Sequence, residues 1–437
     1  MFKLKIAAVL LATLPIQQGY AQDLIETYQL ALENDPQFKS AYLNQFSTAE
    51  FKSQSIAQML PNISVSASSS RDRLNNKKAT FQRAGTQNFW NHGITFNFTQ
   101  PVFNWGHWVQ LGQSDNRIAQ AEAQYQAEYQ ALIVRTAEAY FDVLAAEDNL
   151  EFTVAEKKAI AKQLEQAKQR FEVGLIAITD VYEAQAAYDQ ARANEIEAAN
   201  LLDDAKEGLR ELIGDNQADL NPLHEKIILN RPEPDDISLW ANSAQNNNFN
   251  IVAQLNQAEV ARKEIRLQQS AHLPTIDIVA NYNVQDNTST FGLRGDTQSV
   301  GLQLNLPIFE GGGVYSRTQQ AQYDYQREKE DLTKVKRTVT RQVRNAYRGV
   351  LASLSRVKAL TATVKSSQSA LEASEAGLEV GTRTMVDVLA EQRNLFRSKR
   401  DYARSRYDYL INGIKLKEAA GSLSEADLQE VNKFLQR

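Results

Sequence analysis

The feature that most constrains the fold of this chain is an internal repeat. Aligning residue n with residue n+207 matches Tyr140 with Tyr347 and superposes two short motifs, which begin with Glu-Val-Gly at Glu172 and at Glu379. A repeat of this length defines the structural unit before any single motif is interpreted. The sequence therefore predicts two fused copies of one unit, with an equivalent turn in each copy. We expect these two turns to be the functional end of the molecule.

The repeat divides the chain into five predicted parts. They are a signal peptide (1–21), a first repeat (22–213), an irregular connector (214–236), a second repeat (237–421) and a C-terminal tail (422–437). Each repeat is expected to hold leading helices, two strands and a long helical hairpin. The connector contains Pro222, Pro232 and Pro234, which disfavour regular structure there.

The N-terminal residues predict export from the cytoplasm. Lys3 and Lys5 precede a short apolar run at 6–14, and residues 19–21 read Gly-Tyr-Ala, a small-x-small cleavage site. The chain has no cysteine, which excludes disulfides, thiolate metal sites and a lipid-anchoring cysteine. Its net charge of −5 offers no basic surface suited to nucleic acid. These properties fit a bacterial envelope protein that is stabilised by packing.

Four segments alternate apolar and polar residues with the period of a β-strand. Their apolar members are Ile63, Val65 and Ala67; Ile94, Phe96 and Phe98; Ile276, Ile278, Ala280, Tyr282 and Val284; and Val300, Leu302, Leu304, Leu306 and Ile308. Alternation alone is more typical of a half-buried sheet in a soluble domain. The alternating polar residues, however, are mostly uncharged, as a water-filled lumen requires.

Aromatic residues at both strand ends favour a membrane location. One group is Phe81, Phe89 and Trp90, and the other is Phe103, Trp105, Trp108 and Phe309. Aromatic girdles of this kind flank the apolar band of membrane barrels. We therefore expect polar outer loops at 72–91 and 286–297. Because four strands cannot close a barrel and open edges are not tolerated in lipid, the chain is predicted to be a homo-oligomer.

Helical periodicity accounts for most of the remaining chain. Helices are expected at 23–59 with a break at 34–36, and at 108–173, 179–213, 242–272, 314–380, 385–420 and 425–435. The two longest, of about 65 residues, would reach roughly 100 Å. A stripe with 3-4 spacing runs from Ala139 to Phe171 and from Ala346 to Leu378, which predicts close helix packing. An ordinary coiled-coil stalk explains this stripe fully, so it indicates architecture rather than function.

Residues that carry chemistry are scattered. The four histidines do not lie at metal-ligand spacing, and the glycines at 311–313 are not followed by the Gly-Lys-Ser/Thr of a phosphate loop. No nucleophile elbow is present. The sequence therefore predicts a protein that is not an enzyme and that has no metal or cofactor.

Each turn carries an aspartate near the start of the next helix. Thr384 and Asp387 have the spacing of a capping box, whereas Ala177 replaces the threonine before Asp180. Helix initiation is the simpler explanation of both aspartates. Arg383 is harder to explain, because an isolated stalk would hold it in solvent for little gain. In a symmetric ring of turns, it would reach an aspartate on a neighbouring hairpin.

The whole mature chain resembles the TolC family, the outer-membrane exit ducts of Gram-negative tripartite efflux pumps and type I secretion systems. The resemblance rests on the duplicated halves, the four strands, the long helices and the turn sequences GLIAITDV and VGTRTMVDVL. It implies an α+β membrane protein, a homotrimer whose twelve strands form one β-barrel in outer-membrane lipid. An α-helical coiled-coil barrel would continue it into the periplasm. This passive conduit would be opened by a periplasmic adaptor (membrane fusion) protein and an inner-membrane RND, ABC or MFS transporter.

The resemblance also implies roles for residues of the turns. The family pattern places a gate latch at Thr179, Asp180 and Arg383, a constricting carboxylate ring at Asp387 and adaptor contacts at Gly174 and Gly381. This chain departs from the pattern twice. Leu378 stands where the family often has a latch tyrosine, and Ala390 stands where a second aspartate ring can occur. With a single acidic ring, we expect weaker cation binding at the constriction.

Two other functions stay open at this point. One is a dedicated outer-membrane duct for a single efflux or secretion system, which no sequence feature firmly separates from a general one. The absence of a lipid-anchoring cysteine counts against a lipoprotein duct. The other is a soluble periplasmic coiled-coil adaptor, which the apolar strand faces and aromatic girdles argue against.

Overall fold

The computed structural model describes residues 22–77, 85–215, 219–224, 227–289 and 292–436. The predicted signal peptide and Phe81 lie outside these residues. Two compact units are present, each assembled from separate segments. The hairpin unit holds the described parts of Met1–Lys39, Glu128–Ala244 and Arg341–Arg437, and the sheet unit holds those of Ser40–Ala127 and Gln245–Thr340.

The two halves of the described chain have the same order of elements. The first half is α1 (Leu24–Asn34), α2 (Pro36–Ala57), β1 (Asn62–Asn76), β2 (Gly85–Phe103), α3 (Trp105–Glu172) and α4 (Ile178–Ile213). The second is α5 (Ile237–Asn247), α6 (Phe249–Ser270), β3 (Thr275–Asn287), β4 (Arg294–Asn305), α7 (Gly313–Glu379) and α8 (Met385–Ala419), followed by α9 (Glu425–Asn432). The secondary structure is therefore mostly helical with one sheet, which confirms the predicted α+β class.

The sheet unit contains an antiparallel sheet with the strand order β1-β2-β3-β4. Directly paired residues project from the same side of a sheet. One row across the strands is Ile63, Phe98, Ala280 and Val300, and the next is Ser64, Asn97, Asn281 and Ser299. The register thus separates an apolar face from a face of serine and asparagine, as the alternation predicted.

The apolar face of the sheet is exposed in the single chain. Ile63 is 71% exposed and Val300 is 81% exposed. Within the described residues, β1 and β4 each pair with one neighbouring strand only, so the sheet has two open edges. An exposed apolar surface next to unpaired backbone groups marks a contact surface for lipid or for other chains.

The strands extend further into the predicted outer loops than expected. β1 continues to Asn76 and β2 begins at Gly85, with Asp72 paired to Phe89. Most of the loop predicted at 72–91 is therefore strand. The prediction was wrong because a ladder is built from backbone groups, which polar residues supply as well as apolar ones.

The last strand is shorter than predicted. β4 ends at Asn305, so Leu306 and Ile308 lie beyond it. Pro307 has no backbone N–H to donate, and it restricts the residue before it. The apolar alternation therefore continues past the point where pairing stops.

The leading helices break where a polar side chain caps the second helix of each pair. Asp35 separates α1 from α2 as predicted, accepting a hydrogen bond from the Gln37 N–H at 2.7 Å and pairing with Arg135 at 2.5 Å. In the second half, Asn248 separates α5 from α6 and accepts from the Asn250 N–H at 3.0 Å. The predicted start at 242 was too late, since α5 begins at Ile237.

Aromatic residues of α3 and α8 form the centre of the hairpin unit. Tyr140, Phe141 and Tyr407 are buried, and the rings of Phe141 and Tyr407 stack with centroids 5.7 Å apart. The Tyr140 hydroxyl donates to the carbonyl oxygens of Gln22 (3.1 Å) and Asn221 (2.9 Å). These bonds hold the start of the described chain and the connector against α3.

The predicted helix stripes are buried or half-buried over most of their length. Val143, Ile160, Leu164 and Ala167 are buried on α3, whereas Phe171, the last member of that stripe, is exposed. On α7, the buried members are Val350, Ser353, Val357, Leu371 and Ser374. Packing along the stripe therefore loosens towards the first turn.

The C-terminal helix is present as predicted but is shorter. The N–H and hydroxyl of Ser424 donate to the Asp427 carboxylate at 2.8 and 3.0 Å, and α9 ends at Asn432. The Asn432 amide oxygen accepts from the Leu24 N–H at 3.0 Å, which holds the tail against α1.

Among the described residues, no helix combines the length and the apolar character needed to cross a membrane.

Candidate functional site

The first turn joins α3 to α4 through a glycine in the left-handed region. Gly174 has a φ of +74°, where a side chain would be strained. Its N–H donates to the Phe171 carbonyl at 2.8 Å, and the Leu175 N–H reaches back to the Arg170 carbonyl at 2.9 Å. These two bonds satisfy the last carbonyls of α3 and stop the helix.

The second turn joins α7 to α8 with the same backbone pattern. Gly381 has a φ of +77°, and its N–H lies 3.4 Å from the Leu378 carbonyl. The Thr382 and Arg383 N–H groups both donate to the Gly377 carbonyl, at 2.8 and 3.2 Å. The repeat therefore reproduces the way in which the long helix ends.

The helices that follow begin differently. At the second turn, Thr384 and Asp387 form a complete capping box. The Thr384 N–H and hydroxyl donate to the Asp387 carboxylate at 2.9 and 3.0 Å, and the Asp387 N–H donates to the Thr384 hydroxyl at 3.2 Å. The bond from the Thr384 N–H contributes most to lowering the pKa of Asp387, and the bond from the Thr384 hydroxyl lowers it further. The positive charge of Arg383 acts in the same direction.

Asp180 has no such role at the first turn. The N-cap of α4 is Ala177, which has no side-chain cap, and the Asp180 N–H donates to the Ala177 carbonyl at 3.2 Å. Within the described residues, the Asp180 carboxylate accepts no hydrogen bond and forms no ion pair. Helix initiation by a capping box thus explains Asp387 and does not explain Asp180.

Two apolar residues anchor the second turn to the first hairpin. Met385 and Leu389 are each 3% exposed. They pack in one cluster with Ile160, Leu164 and Ala167 of α3 and with Ala184 and Ala191 of α4. Sequence reasoning missed this pair, although its i, i+4 spacing directly after the Gly381 motif was an available signal.

The three predicted latch residues are not joined within one chain. Thr179 and Arg383 are exposed, and Asp180 is half-buried. In the part of the chain that the structure describes, the Arg383 guanidinium has no carboxylate partner. A donor and two acceptors are therefore left without partners at the turns of a single chain.

Gly377 is a further residue that the sequence did not reveal. A Cβ atom at this position would lie 2.6 Å from Arg383 Cγ and 3.2 Å from Arg383 Cβ. The stem of Arg383 thus lies across α7 at a residue that has no side chain. The equivalent residue of the first repeat is Arg170, where the turn has no arginine to accommodate.

The predicted adaptor positions are open at both turns. A Cβ atom on Gly174 or Gly381 would meet no atom within 4 Å. Apolar residues beside them are exposed, with Leu175 at 74% and Val380 at 75%. Each turn therefore presents a small apolar surface.

No group of three or more His, Cys, Asp or Glu side chains in the described residues is arranged to hold a metal. The absence of metal and cofactor stays a prediction.

Comparison with known proteins places this fold in a class. The family model described as outer membrane efflux protein matches residues 27–215 and 240–422. The outer membrane protein TolC of Vibrio cholerae is 37% identical over 418 residues, which cover 94% of each chain. The alkaline protease secretion protein AprF of Pseudomonas aeruginosa is 28% identical over 95% of this chain and 88% of its own. The crystal structure of the Campylobacter jejuni CmeC outer membrane channel, at 15% identity, has the same fold, with a TM-score of 0.80 over 99% of this chain and 98% of that one.

The fold and the relatives together define an outer-membrane channel protein. The chain belongs to the outer membrane efflux protein family. This membership confirms the predicted resemblance, the efflux and type I secretion function, and the location in the outer membrane with helices in the periplasm. It also confirms that the chain is a conduit and not an enzyme.

Proposed function

We propose that three copies of this chain pool their strands into one twelve-stranded barrel. The observation that carries this proposal is the sheet, whose apolar face is exposed and whose edge strands β1 and β4 are open among the described residues. In lipid, open edges would leave N–H and C=O groups without hydrogen bonds. Three copies remove every edge if β1 of one copy pairs with β4 of the next.

The test is the assembly state of the protein in its membrane. Extracted from outer membranes in mild detergent, it is expected to migrate as a trimer that dissociates to monomers only on heating. Proteoliposomes made from these trimers should conduct ions. A monomer that fractionates with soluble periplasmic proteins would contradict the proposal.

The turns of this trimer form its periplasmic gate. Arg383 of one hairpin binds Thr179 and Asp180 of the adjacent hairpin in the next copy. The support for this arrangement is that none of these three side chains has a hydrogen-bond or ion-pair partner within the described residues of its own chain. A charge-assisted hydrogen bond between neighbouring copies gives all three side chains a partner. It stabilises the closed state more than an arginine that remains in solvent would.

Asp387 lines the constriction as a ring of three carboxylates. The Thr384 bonds keep this group ionised, since they favour its charged form. Asp387→Ala should therefore abolish block of the channel by a trivalent cation applied from the periplasmic side. Persistent block in that variant would place the cation site elsewhere.

Leu378 replaces the missing latch tyrosine by packing. It contacts the cluster around Met385 and Leu389 and also the cluster of Leu371, Val388 and Leu395. The closed state of this chain therefore relies on apolar contacts at a position where a hydroxyl would supply a hydrogen bond. Such contacts carry no charge, so this part of the gate should be insensitive to salt.

The partners that open the gate are a periplasmic adaptor and an inner-membrane transporter of the RND, ABC or MFS type. The apolar tips beside Gly174 and Gly381 are the proposed adaptor surface. Leu175→Cys and Val380→Cys, on the exposed neighbours of these glycines, provide the measurement without forcing a side chain into positive φ, and the chain has no other cysteine. Crosslinking in the envelope should capture an adaptor from both positions. If neither position gives a crosslinked adaptor, the turns are not the adaptor surface.

A further inference from the structure

We propose that the β1–β2 hairpin carries a binding site for the phosphate groups of an outer-membrane lipid. Its charged residues are Arg71 and Arg73 of β1. Both lie on the apolar face of the sheet, beyond its last apolar row and the single row of Ser69 and His92 that follows. The inference rests on the proposed barrel, which makes this face the lipid-facing one.

The strand register places the two arginines on that face. Side chains alternate along a strand, so the face that holds Ile63, Val65 and Ala67 continues through Ser69 to Arg71 and Arg73. Their cross-strand neighbours on β2 are polar or aromatic: His92 opposite Ser69, Trp90 opposite Arg71 and Asn88 opposite Arg73. The apolar band is thus followed within four residues by a guanidinium group above a tryptophan.

Chain order places this cluster at the outer end of the strands. β1 follows α2, and β2 leads into α3, so the connection between the strands lies at the end away from the helices. Because the helices are periplasmic, the hairpin end belongs to the outer leaflet. The phosphate groups of a membrane lipid lie just beyond its acyl chains, which is the depth at which Arg71 and Arg73 follow the apolar band.

Aromatic contacts hold Arg71 in place without consuming its hydrogen-bond donors. Its guanidinium carbon lies 5.8 Å from the centre of the Trp90 ring, within the range of a cation–π contact. The Trp90 ring in turn stacks on His92, with centroids 5.7 Å apart and planes 10° apart. Tryptophan at this depth is itself typical of a membrane interface.

The charge of this cluster is not neutralised by the described residues. Neither Arg71 nor Arg73 forms an ion pair with any of them. Asp72, which lies between the two, projects to the opposite face and accepts a hydrogen bond from the Ser70 hydroxyl at 3.2 Å. Two guanidinium groups without an ion-pair partner among the described residues of their own chain therefore lie on the face that the proposed barrel turns to lipid.

The other hairpin provides a contrast on the same face. Arg294 of β4 pairs with Asp286 of β3 at 3.2 Å, so its charge is already compensated. Among the described arginines of the two hairpins, those without an ion pair therefore belong to the β1–β2 hairpin. This difference supplies a matched control.

The chemistry of the cluster favours a phosphorylated lipid over a free anion. Arginine presents a planar fork that matches two oxygens of a phosphate group. The surface is continuous with the apolar band, so acyl chains can cover Val65 and Ala67 while the headgroup binds the arginines. A free phosphate would gain the contact with the arginines but not the apolar one.

The experiment titrates full-length trimers in neutral detergent with diphosphoryl lipid A and counts bound lipid by native mass spectrometry. Arg71→Gln with Arg73→Gln should weaken binding by about tenfold or more. The control, Arg294→Gln with Asp286→Asn, removes a neutral pair from the same face and should stay within about twofold of wild type. Equal affinity in the double glutamine variant and the wild type would overturn the inference.

Further arms separate the remaining outcomes. Inorganic phosphate should not displace lipid A, and displacement at comparable concentration would show that the site takes the free anion instead. If the double variant forms no trimers, Arg73→Gln alone replaces it, because the Arg73 side chain contacts no charged partner among the described residues. A monomeric wild type would contradict the barrel as well, whereas trimers with unchanged lipid binding contradict this site alone.

Discussion

The first and second turns end their long helices in the same way and begin the next helices in different ways. Gly174 and Gly381 adopt matching positive φ angles, at +74° and +77°. Beyond them, Asp387 is committed to a capping box with Thr384, whereas Asp180 lies three residues after the alanine N-cap Ala177 and accepts no hydrogen bond from the described residues. The duplicated unit has thus kept the backbone of the turn and divided the side-chain roles between the two copies.

This division shows which parts of the gate are built before the copies meet. The second turn is preorganised: Met385 and Leu389 fix the start of α8, and the Arg383 stem lies over Gly377. The first turn offers Thr179 and Asp180 without internal partners. A rigid donor facing free acceptors loses little entropy on closing, which favours a reversible latch.

The largest effect is expected from removing the anchor of the second turn. Met385→Ala or Leu389→Ala deletes a buried side chain and should each lower the free energy of unfolding by about 2–5 kcal/mol. Denaturant unfolding of extracted protein measures this. The control is Val386→Ala, whose side chain is 43% exposed and should cost less than about 1 kcal/mol. Equal losses at 385 and 386 would mean that the second turn is not anchored.

The next effect concerns the latch itself. Arg383→Ser, alone or with Asp180→Ala, should raise single-channel conductance in planar bilayers, because a charged hydrogen bond contributes about tenfold to the closed population. Arg341→Ser removes an exposed charge from α7 and should leave conductance unchanged. Intact trimers with unaltered conductance in the Arg383 variant would reduce this residue to a solvated tip charge.

A smaller effect tests whether Gly377 positions Arg383. Gly377→Ala favours the helix by roughly 1 kcal/mol, yet its Cβ would displace the Arg383 stem. We expect a conductance between those of wild type and Arg383→Ser. Gly208→Ala, a helical position on α4 with no atom within 4 Å, should gain helix stability without any change in conductance. The same conductance in both glycine variants would show that the Arg383 side chain accommodates a Cβ atom at position 377 without losing its position.

The smallest effects come from exchanging the caps of the two turns. Thr384→Ala should cost about 1 kcal/mol of unfolding free energy, and Ala177→Thr should add a comparable amount. The new threonine has the spacing to draw Asp180 into a capping box, so Ala177→Thr should also raise conductance slightly. A more stable first turn with unchanged conductance would show that Asp180 does not serve the latch.

The capping box also predicts a pH dependence. The folded-state pKa of Asp387 is lowered, so its stabilising contribution is present above the unfolded-state pKa and is lost as pH falls through the folded-state value. Unfolding measured below about pH 4 should therefore show a loss in wild type that Asp387→Asn lacks. Identical acid profiles would contradict this part of the comparison.

Much of the architecture was predictable because the spacing of apolar and polar residues shows which face of a helix or strand is apolar. The capping box at Thr384, the break at Asp35 and the two-faced sheet all followed from the spacing of residue types. Periodicity does not encode which element a face meets, so the packing of Met385 and Leu389 against α3 and α4 was missed. Gly377 was missed for a related reason, since its role depends on a contact across a turn rather than on a local preference.

The central claim is that donor and acceptors meet between copies, and the absence of native cysteine allows a direct measurement. Asp180→Cys with Arg383→Cys, oxidised in intact outer membranes, is predicted to give covalent trimers that survive heating without reductant. Asp180→Cys with Arg341→Cys should stay monomeric after the same treatment. Monomers carrying only an internal disulfide, or no disulfide at all in assembled trimers, would contradict the account.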